Sequence, residues 1–206
     1  MLRIWGRISS INVQKVVWCA DELGLAYERI DAGGTFGVTN TPDYLAMNPN
    51  ALVPTIDDDG FVLYESNAIV RYLAAKHGAG GLWPGDLRQR ADADRWMEWQ
   101  ATSLTPAMRE AFLQLIRTPA EKRDAALVEK SRASCEKFLA ILEAHLGRSE
   151  YLAAHGFSPA DIVNGCAVHR WYLLPLERER RPNVERWYAS LRSRPGSRQV
   201  TSLAIS

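Results

Sequence analysis

The sequence predicts an α/β domain followed by an all-helical domain. Short apolar strands alternate with helical spacings up to His77. Residues 78–85 then hold four glycines and a proline. From Leu87 onward the apolar spacing is helical only. Compact domains commonly run ~100–200 residues, so the 206 residues suffice for one or two. The pattern places one domain at residues 1–77 and the other at 87–206.

Leu2-Arg3-Ile4-Trp5 reads as a first strand, and residues 6–10 as a loop. Val13, Val16, Val17, Ala20 and Leu23 recur at helical spacing, with Ser10 or Asn12 as N-cap and Gly24 as the stop. Tyr27-Glu28-Arg29-Ile30 is a second strand, so the first unit is βαβ with a parallel pair. Residues 31–40 carry three glycines and read as a loop. A short helix follows over residues 42–47, and Asn48-Pro49-Asn50 breaks it. Val53-Pro54-Thr55-Ile56 and Phe61-Val62-Leu63-Tyr64 flank Asp58-Asp59-Gly60, which makes a hairpin. Asp57-Asp58-Asp59 reads as a solvated turn, not a metal loop. Ser66 is expected to cap a helix bearing Ile69, Val70 and Leu73, ended by His77-Gly78. The order β-α-β, α, β-β-α is the thioredoxin-like arrangement.

In the second part, Trp96, Trp99 and Ser103 share one helical face, and Pro106 is expected to kink that helix. Met108, Phe112, Leu115 and Ile116 continue the stripe. Thr118-Pro119 reads as the start of a further helix, with Val128, Cys135, Phe138, Leu139, Leu142 and Leu146 facing inward. Ser158-Pro159-Ala160-Asp161 is a helix start: serine at N-cap, proline at N1, acid at N3. Val184, Trp187, Tyr188 and Leu191 mark a last helix.

Composition excludes several classes. Twenty-five Lys and Arg against 24 Asp and Glu leave a net charge of +1, which gives no pull toward nucleic acid. The arginines after residue 177 alternate with glutamates and read as a solvated face. No apolar run reaches the ~18 residues of a membrane span. The first ten residues lack the apolar stretch of a secretory signal, so the expected location is the cytoplasm. Three cysteines, Cys19, Cys135 and Cys166, form no Cys-x-x-Cys pair and fall on apolar helical positions. The four histidines are scattered, and no metal or resident cofactor is expected.

Four segments together resemble the soluble, cytosolic glutathione transferases of bacterial, serine-dependent type. They are Ser10-Ile11-Asn12-Val13-Gln14-Lys15-Val16, the run from Asn48 through Val53-Pro54 to Ile56, Glu65-Ser66-Asn67-Ala68-Ile69, and the Ser158 to Asp161 box. The resemblance covers nearly the whole chain. It implies that Pro54 is cis and that Val53 pairs its backbone with the cysteinyl unit of glutathione, as an added strand would. It also implies that Glu65 meets the γ-glutamyl ammonium. Ser66, at a helix N-terminus with open donors, meets the γ-glutamyl carboxylate.

The thiolate is the nucleophile, and a free cysteine thiol has a pKa of ~8.5, so the sulfur must be held as thiolate near neutral pH. The family uses tyrosine, serine or cysteine for this. Trp5 and Gly6 stand where the tyrosine would be. The serine position matches Ser10, with Ser9 as the neighbouring alternative and Asn12 in support. Many relatives carry lysine or glutamine before the valine-proline pair, reaching the glycyl carboxylate. Leu52 stands there instead, which leaves that end to the residue 33–40 loop or to Arg7. Ile8, Ser103, Ala107, Met108 and Trp171 are candidates for the second-substrate pocket.

The resemblance thus implies conjugation of glutathione, as co-substrate, to a small electrophile in a detoxifying homodimer. Two alternatives share the scaffold. One is a non-catalytic glutathione-fold binding or stress protein, which would not need Ser10, Val53-Pro54 and Glu65-Ser66 together. The other is a glutathione-dependent isomerase, dehalogenase or peroxidase, which would differ only in the second pocket.

Overall fold

The computed structural model describes residues 1–205. Strand β1 is Leu2–Trp5, helix α1 Ile11–Glu22 and strand β2 Tyr27–Ile30. Helix α2 (Pro42–Met47) precedes the hairpin of β3 (Thr55–Asp58) and β4 (Phe61–Tyr64), and α3 is Ser66–His77. The four-stranded sheet has the order β2-β1-β3-β4. β1 and β2 are parallel, with Leu2 opposite Tyr27, while β3 runs antiparallel to both β1 and β4. This is the expected α/β thioredoxin-like unit, with a helical domain after it.

That domain comprises α4 (Leu87–Trp99), α5 (Thr105–Phe112), α6 (Ala125–Leu146), α7 (Pro159–Leu173), α8 (Pro182–Ser193) and the short α9 (Arg198–Thr201). α4 and α5 join without a break through a wide π turn, Gln100–Leu104, and a second such turn, Leu113–Arg117, follows. The disruption expected at Pro106 takes this form. Proline cannot donate to the carbonyl one turn back, and a widened turn absorbs the misfit. Thr118 ends this helix instead of beginning the next. The next true start is Asp124, whose carboxylate accepts from Ala126 N–H and Leu127 N–H.

One hydrophobic core runs through both domains. Val13, Val17 and Trp18 of α1 and Ile162, Val163 and Cys166 of α7 are all fully buried in it. Gly165 makes the close approach possible: a Cβ there would lie 2.9 Å from the Trp18 ring and 2.8 Å from Leu191. Across the same boundary Arg194 forms an ion pair with Glu22, and Asn67 Nδ2 donates to the Met97 carbonyl at 2.9 Å. The cysteines are free and buried, as their positions predict. Asp58 differs from expectation. It lies in β3, not in the turn, and its buried carboxylate accepts from Tyr72 Oη at 2.7 Å and Lys76 Nζ at 2.6 Å.

Candidate active site

The N-terminus of α1 is open. Ser10 occupies the N-cap with φ −80° and ψ 124°, yet its side chain makes no cap hydrogen bond. Its carbonyl accepts from Gln14 N–H at 2.9 Å, and its N–H donates to the Arg7 carbonyl at 3.1 Å. No acidic residue lies in the first turn. First-turn N–H groups and the helix dipole therefore favour an anion beside the Ser10 hydroxyl. Ser9 is fixed differently: its carbonyl accepts from Arg170 Nη2 at 3.1 Å, and it faces a small cavity under Leu203, Ala204 and Ile205.

The Val53–Pro54 peptide bond is cis, as the resemblance implies. Among the described residues no hydrogen bond takes up the Val53 N–H or carbonyl. A buried polar network holds this segment at its edge of the sheet. Tyr44 Oη donates to the Leu52 carbonyl at 2.6 Å, and Asn48 Nδ2 reaches the same oxygen at 2.9 Å. Both also meet Thr55 Oγ1, at 2.9 and 3.1 Å. The Leu52 side chain is exposed and carries no polar group.

At the start of α3 the capping differs from expectation. Glu65, not Ser66, is the N-cap residue, and Ser66 begins the helix. Glu65 has φ 70° and ψ 109°, outside the regions favoured by side-chain-bearing residues, and makes no cap bond. Such a conformation costs ~1–3 kcal/mol and persists only where the surroundings impose it. It leaves the Glu65 carboxylate exposed beside the uncapped N–H groups of the first turn, with Ser66 buried next to it. Asn12, Lys15, Glu65, Ser66, Asn67, Ala68, Arg71, Glu98, Ala101 and Thr105 line one cavity of ≈ 400 Å³. It brings together the helix starts of α1 and α3 and the facing side of α4.

Family comparison agrees with this geometry. Residues 9–76 match the family described as glutathione S-transferase, N-terminal domain, and residues 104–195 match its C-terminal domain. The chain is 41% identical to the glutathione S-transferase GstB of Escherichia coli strain K12, with all of both chains covered. The chain belongs to the glutathione transferase family. Maize glutathione S-transferase 3 is 34% identical over 98% of this chain and 93% of its own. The theta class glutathione S-transferase of Xanthomonas axonopodis pv. citri, solved with glutathione bound, superposes with a TM-score of 0.96. It is 41% identical and covers 100% of this chain and 99% of its own.

In this transferase, the two alternatives for the glycyl carboxylate are one place. The Arg7 guanidinium lies against Gly33 and Gly34, so closely that a Cβ on Gly33 would come within 2.9 Å of its Nη1. Gly33 also has φ 77°, so glycine is required there twice over. The candidates for the second pocket separate. Ile8 and Ser103 are half-buried. Met108 and Trp171 are only 2% and 1% exposed and belong to the helical core. Ala107 faces α6, and its carbonyl accepts from Ser131 Oγ at 2.5 Å. A shared apolar stripe marks a helix as packed but does not tell a cavity wall from a helix contact.

Two functional-site neighbours escaped the sequence reading. Lys15 is buried in the cavity floor, where Nζ donates to Asn67 Oδ1 at 3.3 Å; burial foremost pulls it down to about 8. Arg170 reaches across from α7. In the sequence both are lone cations on apolar helices, and that oddity is their signal. No helix among the described residues is long and apolar enough to cross a membrane.

Proposed function

We propose that this transferase conjugates glutathione thiolate to small electrophiles, using the Ser10 hydroxyl as the donor that holds the sulfur as thiolate. The observation that carries the serine assignment is the uncapped start of α1, where the Ser10 hydroxyl is not spent on its own helix. Glutathione then lies extended along Val53, whose N–H and carbonyl pair with the cysteinyl backbone. Its γ-glutamyl carboxylate meets Ser66 and the open N–H groups of α3. Its γ-glutamyl ammonium meets Glu65. Arg7, lying over Gly33 and Gly34, takes the glycyl carboxylate in place of Leu52. A guanidinium suits a carboxylate because it can give two parallel hydrogen bonds. Asn12 supports the sulfur end of the site.

In the reaction the thiol proton leaves to solvent and the Ser10 O–H and first-turn N–H groups stabilise the anion. The thiolate then attacks an electrophilic carbon at the domain boundary near Ile8 and Ser103. Glutathione binding by the Xanthomonas relative supports the first half of this reading. The test is glutathione-dependent turnover of aryl halides, isothiocyanates, organic peroxides and epoxides. Conjugation of a halide or epoxide is the expected result. Glutathione binding without turnover of any class would place the chain among non-catalytic relatives.

We further infer a cytoplasmic, detoxifying homodimer, paired through α3 and the face of α4. Light scattering at micromolar concentration should then give twice the 23.1 kDa chain mass. A monomer mass would contradict it.

A further inference from the structure

The cavity between the starts of α1 and α3 holds two charges that no side chain answers. Arg71, on its wall, is matched by Asp94 at 2.6 Å and by Glu98. Lys15 and Glu65 line the same cavity and form no ion pair among the described residues. Lys15 is only 2% exposed. Its Nζ gives one of three N–H groups to Asn67 Oδ1 at 3.3 Å. The Met97 carbonyl fixes the other end of the Asn67 amide, so the ammonium is held beside the first turn of α3. The groups acting on it are Glu65, Glu98 of α4, and Cys166 and Arg170 of α7. Burial foremost pulls Lys15 down to about 8, which still leaves it charged at neutral pH. A buried charge without a partner is costly, and here the space beside it is open to a ligand.

Building on the transferase reading, we propose that Lys15 is a glutathione-binding residue whose ammonium takes the γ-glutamyl carboxylate together with Ser66. One uncommitted cation and one uncommitted anion line the cavity. The γ-glutamyl end of glutathione is an α-amino acid zwitterion and brings the same two charges. Glu65 meets its ammonium, and Lys15 joins Ser66 on its carboxylate. Each charge of the protein then finds its opposite on the ligand, and the buried ammonium gains the partner it lacks in the protein alone.

The test compares three peptides by calorimetric titration at about pH 6.5. They are glutathione, 4-aminobutanoyl-Cys-Gly, which lacks the α-carboxylate, and glutaryl-Cys-Gly, which lacks the α-amino group. In the wild type, glutathione should bind more tightly than either. Its preference over 4-aminobutanoyl-Cys-Gly should shrink by about tenfold or more in Lys15→Met, the worth of one hydrogen bond between charged groups. Lys15→Gln, which can still reach Asn67 but carries no charge, should lose the same preference. Lys15→Arg should keep part of it. The preference over glutaryl-Cys-Gly reads Glu65 and should be unchanged or larger in all three variants. If Lys15→Met does not fold, Lys15→Gln and Lys15→Arg still read both ratios. Parallel weakening of all three peptides, or loss of both preferences together, would make Lys15 a support for the helix start and overturn the inference. Ratios unmoved by every substitution overturn it as well, while tight wild-type binding of glutathione keeps the transferase reading intact. No binding of glutathione by the wild type overturns both.

Discussion

Replacing Asp161 by alanine should destabilise the protein severely, because this carboxylate is the polar hub under the start of α7. It is fully buried and closes the capping box with Ser158. Oδ1 accepts from Leu152 N–H at 3.0 Å and Trp187 Nε1–H at 2.9 Å. Oδ2 accepts from Ser158 N–H at 2.9 Å and from the Ser158 hydroxyl at 3.1 Å. The hydroxyl can rotate to another partner, but the N–H donors cannot. Each buried donor left without an acceptor costs ~1–3 kcal/mol, so Asp161→Ala should lose roughly 3 kcal/mol or more. For a chain of this length a kcal/mol moves Tm by ~2–4 °C, which predicts a fall of roughly 6–12 °C. Asp161→Asn should lose less, since its amide keeps one oxygen. Burial foremost raises this carboxyl from 3.8 to about 6, against the pull of its donors. The native state therefore takes up the proton before the unfolded state does. The stabilising contribution of that proton is present below about pH 4 and is lost as pH rises through about 6. Thermal melts from pH 4 to 7 should show this slope in the wild type and its absence in Asp161→Ala. A Tm within ~2 °C of wild type at pH 7 would refute the hub.

Further outcomes concern the site and the thiols. Glu65→Ala and Ser66→Ala should each weaken glutathione binding by about tenfold or more, since hydrogen bonds to charged groups contribute ~1.5–3 kcal/mol. Calorimetric titration with both affinities unchanged would remove the γ-glutamyl subsite. Burial pushes Cys135 and Cys166 up to about 12 and Cys19 higher still. A thiol reagent at pH 8 should thus label the native protein slowly and all three cysteines in denaturant. Fast labelling of a native thiol would contradict this burial.

Much of the architecture was legible because period and punctuation agree. The strands, the Val53-Pro54 entry to the hairpin and the Ser158 to Asp161 box rest on local chemistry, and the fold has them in place. What was not legible depends on neighbours distant in sequence. Glu65 displaces Ser66 as N-cap because the segment entering α3 is held at positive φ, which no residue pattern announces. Asp58 reads as turn chemistry until Tyr72 and Lys76, a helix away, claim its carboxylate. Met108 and Trp171 share the apolar signature of a pocket wall, and only helix packing sends them into the core. Arg170 meets the Ser9 carbonyl only because α7 docks beside that loop.

The most direct test of the central claim follows the thiol of bound glutathione. Suppose the site lowers its pKa by two units from ~8.5; that requires about 2.7 kcal/mol in favour of thiolate. One hydroxyl donating to a charged sulfur supplies ~1.5–3 kcal/mol, and the open start of α1 adds ~0.3–1 kcal/mol that would survive in a mutant. Thiolate absorbance of the complex against pH should accordingly titrate well below the free thiol in the wild type. It should shift upward by about one to two units in Ser10→Ala and stay in place in Ser9→Ala. Movement in Ser9→Ala alone would give the sulfur to the wrong serine, and no movement in either would contradict a serine-held thiolate.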